Sequence, residues 1–223
     1  VDGVKQLEPL PDIDFNIRST VDEVLGGYRD QARLKSVELV SIYSAALPQM
    51  MVGDPTRLRE IINTFLAMVL SFARQGGVFV NVSIEPIKGQ QAFVRFDIKA
   101  TSLILSVDLR SRLMNAFTQL DASMAQLLSG NGMGPSLSKR LIKMMGGEMG
   151  IESLKDEGSL FWFKVALRTE ADTDHLIGGS GDETSQYRIL YCGGDDAIYQ
   201  KLREKVCDAL SDVNAVSDLQ KAY

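Results

Sequence analysis

The segment from Gly130 to Gly134 is the part of the sequence whose residue types are best suited to chemistry. Its glycines, Gly130, Gly132 and Gly134, stand directly before a predicted helix that begins at Pro135. Glycine lets a backbone approach a polyphosphate closely, and the free N–H groups at a helix N-terminus attract anions. The spacing departs from the GxGxxG dinucleotide fingerprint, and the sequence has no GxxxxGK[ST] loop. On spacing alone, the segment is either a phosphate cradle or a simple glycine loop.

The sequence contains few histidine and cysteine residues that could act in catalysis or bind a metal. The single histidine, His175, lies in an acidic stretch and is interpreted as a solvated linker residue, and Cys192 and Cys207 are the two cysteines. With one histidine and no cysteine cluster, histidine-based metal sites, zinc–cysteine sites and Cys–His nucleophile pairs are excluded. We therefore expect no metal site and no phosphoacceptor histidine in this chain.

The composition is that of an ordinary globular protein. The 223 residues include 24 Lys and Arg against 29 Asp and Glu, which gives a formal net charge of −5. This balance argues against nucleic-acid or anionic-membrane binding. The sequence has neither the run of about 18 apolar residues that a bilayer requires nor a signal peptide, so we expect a cytoplasmic location.

Hydrophobic periodicity and capping signals predict the elements that must position these residues. Asp54 followed by Pro55 is typical of a helix start, and Gly76-Gly77 is interpreted as the end of that helix. The predicted helices are 19–32, 55–72, 107–117, 135–145 and 197–210, and the predicted strands are 14–17, 37–43, 78–84, 92–98, 149–153, 159–167 and 187–192.

These elements divide the chain into four segments. Residues 1–12 are interpreted as a joint that ends a preceding helical segment, and residues 13–168 as one α/β domain. Residues 169–186 are polar, acidic and rich in Gly and Ser, which predicts a linker. Residues 187–223 predict a strand and an amphipathic helix, which amount to about one βαβ unit.

Six motifs, in order along the chain, resemble the catalytic ATP-binding domain of sensor histidine kinases, particularly the hybrid kind. They are Val52–Glu60, Leu113–Asp121, Gly130–Gly134, Ser138–Leu141, Met145–Gly150 and Gly158–Phe163. The resemblance implies an α/β fold of the Bergerat type, an α+β two-layer sandwich with helices on one face of a mixed sheet. It also implies ATP and Mg²⁺ as cofactors, held between the helix that begins near Pro55 and a lid at 122–130.

The family's nucleotide motifs are only partly present. The positions that match and could retain nucleotide contacts are Phe117, Gly130, Gly132 and Gly134. Met68 stands where the family has the Asn that ligates Mg²⁺, and Ser71 stands at its Lys position. A thioether is a poor ligand for a hard cation.

The adenine-binding motif is also altered. Ala100 stands where the family has the Asp that accepts a hydrogen bond from adenine, while Ser102 and Ile104 replace the motif's two glycines. Together with Leu103 and Leu105, they are expected to put bulk where a nucleotide would sit.

The tail from residue 187 resembles the start of a response-regulator receiver domain. Gly193-Gly194 stands where the receiver's acidic pair belongs, and Asp195-Asp196 follows two residues later. A two-residue slip would restore the pair, and the alternative is that Asp195 simply caps the following helix. The segment stops short of the position of a phosphorylated Asp.

Three functions remain open at this point. The leading hypothesis is a pseudokinase module of a hybrid sensor histidine kinase, with weak or no ATP binding, which regulates a two-component phosphorelay by docking. The alternative is an active ATP-dependent protein-histidine kinase domain that transfers the γ-phosphoryl group to a histidine. A third is an ATPase of the chaperone, gyrase or mismatch-repair group.

The expected partner is a histidine-bearing helical domain of its own or another kinase, within a homodimeric parent protein that a membrane could anchor. An apolar cluster in the lid region is either packed into the empty site or offered to that partner. Its members are Met124, Leu127, Leu128 and Met133.

Overall fold

A computed structural model describes residues 12–88, 91–117, 134–154, 157–169 and 187–191 of the chain. The strands are β1 (Ile13–Asn16), β2 (Val37–Ser44), β3 (Met50–Gly53), β4 (Gly76–Lys88), β5 (Gln91–Ala100), β6 (Glu148–Leu154), β7 (Gly158–Arg168) and β8 (Tyr187–Tyr191). The helices are α1 (Ile17–Leu34), α2 (Pro55–Phe72), α3 (Val107–Ala116) and α4 (Pro135–Met144).

The eight strands of the described ranges join one mixed sheet in the order β1-β3-β7-β5-β4-β2-β8, with β6 also paired to β7. β2 and β4 run parallel, whereas the other neighbours are antiparallel. The long central strands β4 and β5 form the predicted hairpin. The predicted α/β architecture with a mixed sheet is confirmed.

The core lies between one face of the sheet, here called the inner face, and the four helices that the structure describes. Alternate residues of the central strands point into it, for example Val80, Phe96 and Phe163, and none of these three side chains is exposed. Phe96 stacks on Phe163 with ring centroids 4.6 Å apart, and Phe65 of α2 packs on Phe163 at 4.9 Å. This period of two is why the strands alternate between apolar and polar residues.

The opposite face of the sheet, here called the outer face, is partly exposed and carries aromatic and charged side chains. The guanidinium of Arg95 lies 4.5 Å from the ring centroid of Trp162 and its Nε is 2.9 Å from an oxygen of Asp97. Lys164 Nζ pairs with Glu148 at 2.9 Å. These contacts let polar residues cover the apolar sheet surface on this side.

Local capping fixes where α2 begins and ends. The side chain of Asp54 accepts a hydrogen bond from the N–H of Arg57 at 3.0 Å, and Pro55 occupies the first turn, as predicted. At the other end, Lys35 Nζ donates to the carbonyl of Leu70 at 2.5 Å. A cation there stabilises the negative end of the helix.

Two features differ from the sequence-based expectations. β3 was not predicted, because its four residues have no alternation of their own and form a strand by pairing with β1 and β7. Gly76 and Gly77 belong to β4 rather than to the end of α2, which is followed by Ala73 in an extended conformation.

The strand predicted at 187–192 is present as β8, and it pairs antiparallel with the edge of β2. It therefore extends the same sheet. Thr169, the first residue of the predicted linker, is described and buried. Residues 170–186 and 192–223 lie outside the described residues, so the receiver-like domain stays a prediction.

No helix in the described ranges has both the length and the apolar character that crossing a membrane requires.

Candidate functional site

The buried face of α2 carries the position at which the resemblance expects a metal ligand. Met68 is fully buried, with 0% of its surface exposed, and it packs in the core between the sheet and the helices. Its thioether offers no charged or carbonyl oxygen, which Mg²⁺ prefers. Ser71, one turn later, is exposed and its hydroxyl donates to the carbonyl of Met68 at 2.7 Å.

Ala100, at the end of β5, is also fully buried. It pairs with Val78 of β4 on one side and with Ser159 of β7 on the other. A methyl group cannot accept a hydrogen bond, so this side chain provides no acceptor for an adenine amino group.

Gly158 passes so close to Ala100 that no side chain fits between them. A Cβ on Gly158 would lie 2.0 Å from the carbonyl oxygen of Ala100, and its φ of +99° favours glycine. This glycine is therefore required for packing, which accounts for it without any nucleotide.

The loop after β5, residues 101–106, is fastened at both ends. On the β4 side, Thr101 N donates to the Gly77 carbonyl at 3.0 Å and the Ser102 hydroxyl donates to the Gln75 carbonyl. On the β6–β7 side, Leu105 N donates to Ser159 Oγ at 3.3 Å. A glycine-free loop held in this way has little freedom to adapt to a ligand.

The side chains of this loop alternate in direction. Leu103 and Leu105 are buried, with 8% and 4% exposure, and both join the core. Ile104 is 75% exposed, and Val107 at the start of α3 is 73% exposed. The apolar bulk expected in this loop is thus divided between the core and the surface, and Ser102 and Ile104 lie at the surface.

Two of the retained positions are described. Phe117 follows α3, is 1% exposed and packs against Phe65 of α2 with ring centroids 5.3 Å apart. Gly134 is the N-cap of α4, has a φ of +84° and forms no side-chain cap. Gly130, Gly132 and the apolar lid cluster lie outside the described residues.

A polar contact that the sequence did not reveal joins α2 to α4. Ser138 Oγ donates to Thr64 Oγ1 at 2.8 Å, and Thr64 Oγ1 donates in turn to the Glu60 carbonyl at 3.0 Å. Both side chains are at least 97% buried. The sequence does contain a signal for this contact, because Thr64 and Ser138 lie on the apolar faces of two amphipathic helices. Buried hydroxyl groups are nearly always hydrogen-bonded, so a bond between the two helices could have been predicted.

We expect Ser138→Ala to lower the free energy of unfolding by about 1–2 kcal/mol, because it removes a buried hydrogen bond and leaves Thr64 Oγ1 without the donor that Ser138 provides. Urea unfolding would measure the change. Ser136→Ala, at a half-buried position of the same helix, is the control and should change stability by less than about 0.5 kcal/mol. Equal stability of the two variants would show that the contact contributes nothing.

A cavity of about 140 Å³ lies away from these residues. It is lined by residues that include Gln91, Asp54 and Arg168. Gln91 begins β5 and Ala100 ends it, so the two are about 30 Å apart along the strand. The cavity is therefore not the place where the resemblance expects a nucleotide.

The donor set around Met68 and Ala100 does not fit Mg²⁺ and ATP. Among the described residues, no group of three or more His, Cys, Asp and Glu side chains could hold a metal ion. The nearest acidic candidate on α2 is Glu60, eight residues or about 12 Å before Met68. Burial raises the pKa of Glu60, and the nearby charge of Asp54 acts in the same direction.

The family profile described as histidine kinase-, DNA gyrase B- and HSP90-like ATPase matches residues 53–169, more than half of the chain. Among curated proteins, the sensor histidine kinase GacS of Pseudomonas protegens is 35% identical over 170 residues, which are 76% of this chain and 18% of that protein. The histidine-protein kinase BarA of Escherichia coli K12 is 30% identical over 158 residues, 71% of this chain and 17% of that protein. The chain thus spans less than a fifth of these relatives.

Solved structures agree on the fold. Full-length ShkA, crystallised in complex with AMPPNP, superposes with a TM-score of 0.58 at 29% identity, over 74% of this chain and 33% of that one. The nucleotide-free catalytic domain of histidine kinase ThkA superposes with a TM-score of 0.50 at 14% identity, over 69% of this chain and 95% of that one. The chain belongs to the family of histidine kinase-, DNA gyrase B- and HSP90-like ATPases and contains an ATPase-type domain of the kind found in sensor histidine kinases.

Proposed function

We propose that this chain is the ATPase-type domain of a hybrid sensor histidine kinase in which the nucleotide site has degenerated, so that it acts in a two-component phosphorelay by docking. The observation that carries the proposal is the complete burial of Met68 and Ala100, at the two positions where the family binds metal and adenine. Neither side chain supplies an oxygen, and neither position is open to a ligand.

The fastened loop after β5 supports the same proposal. Hydrogen bonds hold it to β4 and to β7, and Leu103 and Leu105 anchor it in the core. In the family, glycines allow this loop to run beside the nucleotide. Here the loop has no glycine and is packed against the core, while the sheet and the helices of the fold are intact.

The partner proposed is a histidine-bearing helical domain, its own or that of another sensor kinase. Family members must contact such a domain to phosphorylate it. A domain that no longer binds nucleotide can therefore still keep the surface that makes this contact. Ile104 and Val107 are exposed by 75% and 73% and lie three residues apart. We propose that they form part of this contact, since exposed apolar side chains gain most when a partner covers them.

The docking test measures binding of the domain to the histidine-bearing helical domain of its parent protein by calorimetry. We expect Ile104→Lys/Val107→Lys to weaken this binding by about tenfold or more, because burial of two apolar side chains contributes at least about 1.4 kcal/mol. The control, Leu34→Lys/Met50→Lys, adds the same charge at two other exposed apolar positions. It should bind like the unmodified domain.

Phosphotransfer gives the functional readout. The domain, covalently joined to its helical domain, is added to an active sensor kinase, and the rate of autophosphorylation of that kinase is followed. Regulation by docking would be supported if the unmodified domain and the control variant both change this rate and Ile104→Lys/Val107→Lys does not. If no complex forms and the rate stays constant, a structural spacer becomes the better interpretation.

A further inference from the structure

The outer face of the sheet holds a tryptophan over a glycine. Trp162 of β7 stands opposite Gly150 of β6, and a Cβ on that glycine would lie 2.7 Å from the indole ring. The indole therefore lies over the bare backbone of Gly150, where its Nε1 donates to Glu152 at 2.7 Å and the guanidinium of Arg95 lies over its ring. Trp and Arg are the residue types most enriched at the energetic centres of protein interfaces. Because the described helices pack on the inner face, this pair on the outer face indicates a contact surface.

Carboxylates outnumber cations around this tryptophan. The described cations there are Arg95, Lys99 and Lys164, and the described carboxylates are Glu85, Asp97, Glu148, Glu152 and Glu157. Burial raises the pKa of the Asp97 carboxyl and Arg95 lowers it, while the nearby charges of Glu152 and Glu85 raise it further. Negative charge is therefore in excess at this place.

The carboxylates are also the groups that face the solvent. The side chains of the three cations are 19–35% exposed, whereas those of Glu85, Glu148 and Glu157 are 47–66% exposed. Two of the cations lie along aromatic rings, since Lys164 Nζ is 4.7 Å from the ring centroid of Phe93, as Arg95 is close to that of Trp162. Such contacts keep the positive charges near the sheet. An approaching partner therefore meets the carboxylates first.

This surface has a limited extent. On β6, Glu148 and Glu152 are four residues apart on the same face, which is about 13 Å, and Gly150 lies between them. Toward β2 the outer face is inaccessible, because Val40 is fully buried. We therefore restrict the surface to Trp162 and the five carboxylates around it, and call it the acidic surface.

We propose that the acidic surface binds a basic segment of a partner protein, whose lysine or arginine side chains pair with Glu148 and Glu152 on either side of Trp162. The distance between these two carboxylates corresponds to about four residues of an extended segment or about nine of a helix. The excess of negative charge selects a cationic partner and repels nucleic acids and anionic membranes. The contact lies on the face opposite the helices, and it does not rest on the proposed loss of nucleotide binding.

Trp162 is the single tryptophan of the chain, so its fluorescence reports on this surface directly. The probe is an amidated decapeptide of alternating Arg and Ala, titrated into the full chain, and a decapeptide of alternating Glu and Ala is the negative control. We expect the arginine peptide to change the emission of Trp162 saturably and to protect it from acrylamide. Raising the salt from about 0.1 M to about 1 M should weaken binding by about tenfold, because the Debye length falls from about 10 Å to about 3 Å. No saturable change with the arginine peptide would overturn the proposal.

Matched substitutions make the test specific to the acidic surface. Glu148→Gln/Glu152→Gln removes two charges but keeps an acceptor oxygen for the N–H of Trp162, and it should weaken binding of the arginine peptide by about tenfold. Asp30→Asn/Asp108→Asn removes two charges at exposed positions of α1 and α3, which lie across the sheet, and should bind like the unmodified chain. Equal affinities of the two variants would overturn the proposed place of binding. Protection of Trp162 that rises with protein concentration without peptide would identify a second copy as the occupant and would also overturn the proposal.

Discussion

Titration of the chain with ATP and Mg²⁺ is expected to give no saturable binding in the micromolar range. The family's adenine-binding carboxylate contributes about 1.5–3 kcal/mol as a charged hydrogen-bond acceptor, so Ala100 alone weakens binding by roughly ten- to a hundredfold. Met68 supplies no oxygen ligand for the metal. Its side chain is completely buried, so a hydrated ion cannot reach that position. The two losses act on different parts of the ligand and should be approximately additive.

Isothermal calorimetry with Mg²⁺ and again with EDTA would measure this. Because the thioether of Met68 is a poor ligand for Mg²⁺, we expect any residual heat of binding to be the same in both conditions. A micromolar or tighter dissociation constant that requires Mg²⁺ would contradict the proposed degeneration of the site and would favour the alternative of an active protein-histidine kinase.

Local signals predicted the long helix of this site well. Asp54 and Pro55 mark the start of α2, and its apolar face runs to Phe72, which is where the helix ends. Such capping and periodicity act within a few residues of the chain, so they can be read from the sequence. The same signals gave the β4–β5 hairpin, whose alternating residues point to the core and to the outer face in turn.

Long-range pairing determined what the sequence did not predict. β3 exists because β1 and β7 pair with it, and the Thr64–Ser138 contact joins residues 74 positions apart. The direction of the loop after β5 likewise depends on Ser159, which lies 54 residues from Leu105 and accepts a hydrogen bond from its N–H. Sequence motifs could therefore suggest which positions are altered, and that assignment stays a prediction, but they could not show which side chains of the loop would be buried.

Restoring the two family residues together, in Met68→Asn/Ala100→Asp, is expected not to restore ATP binding and to destabilise the domain strongly. Both side chains have 0% exposure, so Asn would bury an amide among apolar neighbours and Asp would bury a carboxyl between Val78 and Ser159. Each change should cost about 2–4 kcal/mol, a large part of the 5–15 kcal/mol that stabilises a typical domain. Thermal unfolding and calorimetry of the same preparation would measure both effects.

The control places the same residue types at exposed neighbouring positions, in Ser71→Asn/Ile104→Asp. Both positions are exposed, so this variant should unfold within about 1 kcal/mol of the unmodified domain and should also fail to bind ATP. The contrast separates the cost of burying a polar group from the effect of adding one near the site. If Met68→Asn/Ala100→Asp were as stable as the control and bound ATP with Mg²⁺, the two substitutions alone would account for the lost chemistry. The fastened loop after β5 would then have no part in it, because it is unchanged in that variant.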